Sequence, residues 1–182
     1  GSDLTVSLGA SLLTIEPTVE SINLNLGNGS DTLTLGDLSA AGLTELRFNG
    51  QNGNDRIDLS GATLLGNVVL VVDGGDGNDS LAGGGGSDLM HGGLGDDFVN
   101  GGSGNDSATG GMGDDILIGG SGQDQLSGEE GNDVVNGQGG MDTIAGGDGM
   151  DTTIGDEFEM DEDFEFDFGD PDAGGDPELP AP

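Results

Sequence analysis

From Gly74 onward, one apolar residue returns at every ninth place: Leu81, Met90, Val99, Ala108, Leu117, Leu126, Val135 and Ile144, with Thr153 closing the series. Polar and glycine positions around it are equally regular, so residues 74–154 divide into nine consecutive nonapeptides without an insertion. They read GGDGNDSLA, GGGGSDLMH, GGLGDDFVN, GGSGNDSAT, GGMGDDILI, GGSGQDQLS, GEEGNDVVN, GQGGMDTIA and GGDGMDTTI. Glycine holds the first and fourth places and aspartate the sixth in all nine. A fixed period of this kind marks a repeat architecture, in which each unit buries its apolar residue only by stacking on its neighbours. Each nonapeptide is expected to form a turn of six residues and a strand of three, with only the eighth side chain pointing inward.

Before Gly74 the period lengthens. The stretches SINLNLGNGSDTLTLGDLSAAGLT and ELRFNGQNGNDRIDLSGATLLGNV, followed by VLVVDGGDGNDSLA, align at a spacing of 24, which brings Asp31, Asp55 and Asp79 to one place per coil. The alternation of Ile22, Leu24 and Leu26, and of Leu70 and Val72, has the period of a strand with one buried face. Residues 1–73 are therefore read as wider solenoid coils with a cap, residues 1–20 forming a partial coil and the aspartate turns lying on one edge only. Residues 155–182 form a third segment, with twelve acidic residues and four phenylalanines. A solvated tail is expected there, and the alternation of Phe164, Phe166 and Phe168 leaves a docked strand as the other reading.

Composition changes the picture at this point. The chain of 182 residues holds 41 glycines and 36 acidic residues against two arginines, for a formal net charge of −34. Nothing in it can neutralise phosphates, which excludes nucleic-acid binding. Aromatic residues make up 3% of the chain, with no Trp or Tyr, so the side chains that dominate ordinary cores are nearly absent. Low hydrophobicity with high net charge leaves a chain unfolded unless a partner supplies cohesion. A divalent cation both neutralises the carboxylates and ties successive turns together.

The residue types point to calcium. If two nonapeptides make one turn of a roll, residues 18 apart stack at strand spacing, and the sixth-place aspartates form two acidic columns. Calcium accepts carboxylate and carbonyl oxygens in flexible geometry, whereas zinc calls for His or Cys and magnesium for a stricter octahedron. The candidate ligands are Asp79, Asp88, Asp97, Asp106, Asp115, Asp124, Asp133, Asp142 and Asp151, joined by Asp31 and Asp55 in the wider coils. Glycines at the first, second and fourth places bend the chain so that carbonyls converge. They are Gly74, Gly75, Gly77, Gly83, Gly84, Gly86, Gly92, Gly93 and Gly95, then Gly101, Gly102, Gly104, Gly110, Gly111, Gly113, Gly119, Gly120 and Gly122. Turns starting at 74, 92, 110, 128 and 146 share one edge and those at 83, 101, 119 and 137 the other. Their gaps predict about seven calcium ions, or up to about nine if the turns of Asp31 and Asp55 join the first column. Glu129 and Gln138 at second places, and Met141 and Met150 at fifth places, depart from the pattern, and the last two turns are expected to bind more weakly.

The nine units match GGxGxDxUx, and residues 74–154 thereby resemble the repeats-in-toxin (RTX) calcium-binding nonapeptide family. The resemblance implies an all-β, right-handed parallel β-roll stabilised by calcium. It also implies a bacterial protein, secreted or at the cell surface, exported by a type I system and folding on calcium outside the cell. Two further roles fit that family: the C-terminal secretion and folding module of a cytolysin or hydrolase, and a self-associating subunit of a surface fibre or adhesin.

Other chemistry finds little support. His91 is the sole histidine and occupies an outward ninth place, no HExxH or GxSxG occurs, and a phosphate loop needs a lysine that the chain lacks. The chain is not expected to be an enzyme. It has no cysteine, no apolar run long enough for a membrane span, and no basic start of a secretory signal; the leading Gly-Ser is expected to be a cloning remnant on a fragment. Phe98, Ile116 and Val134, all at seventh places and 18 apart, are expected to stack as an exposed apolar row. Self-association or docking of domains from a parent chain are the partners expected beside calcium.

Overall fold

The computed structural model describes residues 4–8, 11–15, 21–35, 43–62, 68–155 and 158–159. Seventeen strands and no helix occur among them. In chain order they are β1 (Leu4–Leu8), β2 (Ser11–Ile15), β3 (Ser21–Asn28), β4 (Thr32–Thr34), β5 (Glu45–Asn52), β6 (Arg56–Asp58), β7 (Val69–Asp76), β8 (Ser80–Gly85) and β9 (Asp88–Leu94). The series continues with β10 (Phe98–Ser103), β11 (Ser107–Met112), β12 (Ile116–Ser121), β13 (Gln125–Glu130), β14 (Val134–Gly139), β15 (Thr143–Asp148), β16 (Thr152–Ile154) and β17 (Phe158–Glu159).

The strands form two sheets, and from β3 onward the chain alternates between them at every turn. One sheet runs β16-β14-β12-β10-β8-β6-β4-β1-β2, the other β17-β15-β13-β11-β9-β7-β5-β3. All neighbours from β3 and β4 onward are parallel. The chain is thus an all-β parallel roll. The register advances by 24 residues where Leu46 meets Leu70, and by 18 where Phe98 meets Ile116.

Three expectations are corrected. The strand of a repeat typically covers six residues, places seven to nine and then one to three of the next unit, as in β10 through β15, so the turn proper is three residues long. The reason is that the glycine pair stays in the ladder, Gly102 opposite Gly120 and Ser103 opposite Ser121. Nor is the eighth side chain the only inward one: Asp115 is 1% and Leu117 0% exposed. The start of the chain is not a partial parallel coil but an antiparallel hairpin, β1 on β2, attached to β4 through Ser7–Thr34 and Leu8–Leu33. The expectations for Phe164, Phe166 and Phe168 lie outside the described residues.

The core is a stack of single side chains. In one sheet Leu33, Ile57, Leu81, Val99, Leu117 and Val135 lie in one column, each 0% exposed; in the other, Phe48, Val72, Met90, Ala108, Leu126 and Ile144 form a second buried column, each 1–3% exposed. The wider coils bury two more rows. Leu46 and Leu70 continue in register to Asp88, and Leu35 and Leu59 sit one place beyond β4 and β6, at the place that becomes Gly83. Leucine pairs in the wide coils therefore stand where glycine and aspartate stand in the narrow ones. No helix among the described residues is long and apolar enough to cross a membrane.

Candidate metal centre

Within each column the aspartates use their two oxygens differently. One of them, Oδ1, accepts the backbone N–H of the aspartate one coil earlier; Asp88, which opens the second column, has neither oxygen hydrogen-bonded. On the first edge the N–H groups of Asp31, Asp55, Asp79, Asp97 and Asp115 donate to Asp55, Asp79, Asp97, Asp115 and Asp133, at 2.7–2.8 Å, and Asp133 N–H donates to Asp151 at 2.8 Å. On the second edge, Asp88, Asp106 and Asp124 donate in the same way to Asp106, Asp124 and Asp142, at 2.9, 2.8 and 3.0 Å. The wider coils thus share the first column with the nonapeptides, and the second column begins at Asp88.

The other oxygen, Oδ2, is buried without a hydrogen-bond partner in Asp31, Asp55, Asp79, Asp88, Asp97, Asp106, Asp115, Asp124, Asp133, Asp142 and Asp151. Such an atom is costly to bury unless something of opposite charge meets it. From Asp55 onward, what faces it is a cradle that only glycine leaves open: a Cβ on Gly74 would fall against Asp79 Oδ2 and the carbonyl oxygen of Gly92 in the next coil. The same pairing of own-turn carboxylate with next-coil carbonyl recurs at Gly50, Gly83, Gly92, Gly101, Gly110 and Gly128.

Only one carboxylate enters each cradle from its own turn, and no group of three His, Cys, Asp or Glu side chains converges among the described residues. The donor set is therefore carboxylate with backbone carbonyl, all hard oxygen, which suits calcium and offers nothing to a soft metal. Burial, reinforced by neighbouring carboxylates, pushes the Asp88 and Asp97 carboxyls up to about 7 and those of Asp79, Asp106 and Asp115 up to about 6. Burial likewise raises Asp55, Asp124 and Asp133. These are anions in need of a cation.

The glycine turns supply the geometry. Second and fourth places take positive φ throughout, for example 126° at Gly111 and 125° at Gly113, values that a side chain resists. Gly75, Gly77, Gly84, Gly86, Gly93, Gly95, Gly102, Gly104, Gly120 and Gly122 do likewise, while the first-place glycines Gly74, Gly83, Gly92, Gly101, Gly110 and Gly119 are buried. Glu129 and Gln138 adopt the same backbone at φ 79° and 68°.

A second ladder was not foreseen. Fifth-place side chains accept from the coil that follows, opposite in direction to the aspartates: Asp114 N–H donates to Asp96 Oδ1 at 3.0 Å, and Asn132 N–H to Asp114 Oδ1 at 2.9 Å. Asn54, Asn78 and Asn132 accept likewise from Asn78, Asp96 and Met150. On the second edge Asn105 accepts from Gln123 at 2.9 Å. The signal was present in the sequence as Asn or Asp at the fifth place of the first-edge units.

One difference bears on Asp31. In register, Leu26 stands at the place that Gly50 and Gly74 take in the next coils, and it packs half-buried against the core. The turn of Asp31 therefore has a hydrocarbon side chain where every later turn has an open cradle. His91 is exposed with Nδ1 2.6 Å from Thr109 Oγ1. Phe98, Ile116 and Val134 share one register row and are 38%, 43% and 38% exposed.

The model of one protein family, the RTX calcium-binding nonapeptide repeat, matches in four overlapping copies at residues 73–108, 91–126, 109–144 and 118–153. No curated protein and no solved structure matches the chain.

Proposed function

We propose, from the match of residues 73–153 to the RTX calcium-binding nonapeptide repeat family, that this chain is a non-catalytic, calcium-folded module of a secreted or cell-surface bacterial protein. The observation that carries the reading is the line of aspartate Oδ2 atoms, buried without a donor and, from Asp55 onward, each facing space that only glycine leaves open. Asp79 with Gly92, Asp97 with Gly110, Asp115 with Gly128 and Asp133 with Gly146 would hold ions on the first edge, and Asp88 with Gly101 and Asp106 with Gly119 on the second. Asp55 with Gly74 extends the first column into the wide coils, for about seven ions in all. Leu26 argues against one at Asp31.

Bound calcium would supply positive charge between carboxylates that otherwise repel along each column. Without it, one inward aliphatic side chain per nine residues is little to set against the chain entropy of ordering a glycine-rich segment. Folding and binding are then one process. That coupling suits a protein that stays unfolded where calcium is scarce and orders outside the cell.

The test is a calcium titration followed by far-ultraviolet circular dichroism and calorimetry. Coil should convert cooperatively to β structure, and magnesium at the same concentration should leave the coil signal. A chain that keeps in excess chelator the full β signal of its calcium-bound form would refute the reading.

A further inference from the structure

The two sheets present unlike outer faces. Strands β8, β10, β12, β14 and β16 contain no charged residue, in a chain whose net charge is −34, and all lie within the described stretch 68–155. Their outer side carries the exposed row of Phe98, Ile116 and Val134 at the strand starts and an exposed lane of Gly85, Ser103, Ser121 and Gly139 at the strand ends, both in register. The other sheet also exposes an apolar pair, Leu94 and Met112, but Asp76 and Glu130 bracket it in the same register row. Charge near the first face is confined to its borders. Arg56 and Asp58 of β6 bond to one another at 2.7 Å, Asp156 and Glu157 follow the last strand in sequence, and Asp96 and Asp114 stand exposed on the first edge. On the second edge the fifth places Asn105, Gln123 and Met141 are uncharged. The hairpin of β1 and β2 continues this sheet beyond β4 and so lies beside the face, not over it.

We propose that this face packs on the same face of a second copy of the chain, about a two-fold axis parallel to the roll axis, so that the strands of the two copies run antiparallel. The occupant follows from charge and shape. A cationic partner is drawn to the carboxylates elsewhere on the chain, whereas an uncharged face gains by removing its apolar row from water. The two-fold sets that row over the lane of small residues: Phe98 over Ser103 of the partner subunit, Ile116 over Ser121 of the partner subunit, and Val134 over Gly139 of the partner subunit. Ridge then enters lane on both sides of the axis, the self-complementarity that an isologous contact requires. The same axis sets Asp96 and Asp114 over the uncharged second edge of the partner, while strands running in one direction would bring the two first edges and their exposed aspartates together. At a strand spacing of ~4.8 Å and ~3.3 Å per residue the face covers about 500 Å² on each copy. Two such faces approach the ~1,000 Å² of the smallest specific interfaces, in keeping with a dimer that forms at micromolar concentration.

The face exists only in the folded roll, on which the proposed function also rests, so the test reads folding and association separately. In saturating calcium, sedimentation velocity should show a dimer at micromolar concentration, and Ile116→Glu should weaken it at least ~100-fold while circular dichroism still reports calcium-induced β structure. Ser121→Glu, which removes no apolar surface, should weaken it at least ~10-fold and serves as the probe if Ile116→Glu does not fold. Leu94→Glu, on the outer face of the other sheet, should leave the dimer as it is. Because the chain has no cysteine, Ile116→Cys combined with Ser121→Cys should cross-link two copies on oxidation, the two sites being too far apart along one strand to bridge within a copy. A calcium-folded monomer up to about 100 μM overturns this inference alone; if deleting residues 160–182 then allowed a dimer, the face would belong to that segment instead. A dimer indifferent to both glutamate substitutions overturns it as well. A chain that calcium fails to fold overturns both this inference and the proposed function.

Discussion

The wide and the narrow coils share a core and differ at one edge. In the coils of 24 residues, Leu35, Leu59, Leu46 and Leu70 close the second edge with hydrocarbon, and the loops between strands carry Leu43 and Val68 inward as well. In the coils of 18 residues the same register places hold Gly83 and Asp88, and a shorter turn takes the place of the loop. Six residues per coil are thus exchanged for a carboxylate and an open cradle. A polypeptide can shut the end of a narrow two-sheet roll with apolar side chains, if the loop is long enough to carry them, or with a cation, if the turn is bare enough to admit one. The first solution is always switched on; the second depends on the medium.

Removing calcium is expected to have the largest effect, and an uneven one. In excess chelator, hydrogen-exchange mass spectrometry should show β8 through β15 losing protection by at least ~100-fold more than β5 and β7, whose Leu46, Phe48, Leu70 and Val72 remain packed. Equal loss in both regions would break the comparison. Next in size, Leu59→Ala should cost about 2–5 kcal/mol of stability in saturating calcium and leave the calcium stoichiometry unchanged. Gly110→Ala should instead change the stoichiometry as well as the stability, since its Cβ fills the cradle between Asp115 Oδ2 and the Gly128 carbonyl. Calorimetry should then count a single ion fewer, with Gly85→Ala, which has nothing within 4 Å of its added Cβ, as the silent control.

Much of this contrast was legible in the chain. A period of nine with glycine and aspartate in fixed places gave the two columns and their alternation between edges, because a repeat leaves no freedom in register. The register step itself shortens from 24 where Leu46 meets Leu70 to 18 where Leu70 meets Asp88. What stayed hidden was whatever depended on neighbours across coils. That Leu70 and Asp88 share one column follows only from the pairing of β7 with β9, and nothing in their own surroundings in sequence announces it. Leu26 reads as one more member of an alternating strand until the register sets it opposite Gly50. The strand length was misjudged because glycine at positive φ suggests a turn, while here the backbone keeps its ladder through it.

Acidification should separate the regions by a smaller margin. The calcium-free carboxyls of Asp88 and Asp97 lie near 7 and those of Asp79, Asp106 and Asp115 near 6, against 3.8 for a free aspartate. A carboxyl raised on folding binds its proton more tightly in the folded state, so the calcium-free fold is penalised at high pH. The penalty is relieved as pH falls from about 7 and is gone below about 4. In chelator, lowering the pH from 8 to 5 should therefore increase β signal, chiefly in the narrow coils. With calcium present, the same change should raise the calcium concentration at the midpoint, as protons compete for the same oxygens. A midpoint independent of pH would show that these aspartates are not the ligands.

The smallest effect concerns a device that both regions share. Gln51 in a wide coil and Glu129 in a narrow one hold φ of 77° and 79°, where neighbouring coils use glycine. Left-handed backbone costs a residue with a Cβ about 1–2 kcal/mol, and glycine loses about 0.4–1 kcal/mol by freeing the unfolded chain. Glu129→Gly should therefore stabilise the calcium-bound roll by about 0.5–1 kcal/mol. Glu129→Gln, which removes the charge and keeps the backbone strain, should change stability by less, and so separates conformation from repulsion. Because the second place is strained alike on both sides of Gly74, Gln51→Gly should give a gain of the same size in thermal unfolding. Unequal gains would mean that the turn at Gln51 is not the same turn, and that the wide coils borrow less from the glycine design than the common column of Asp55, Asp79 and Asp97 implies.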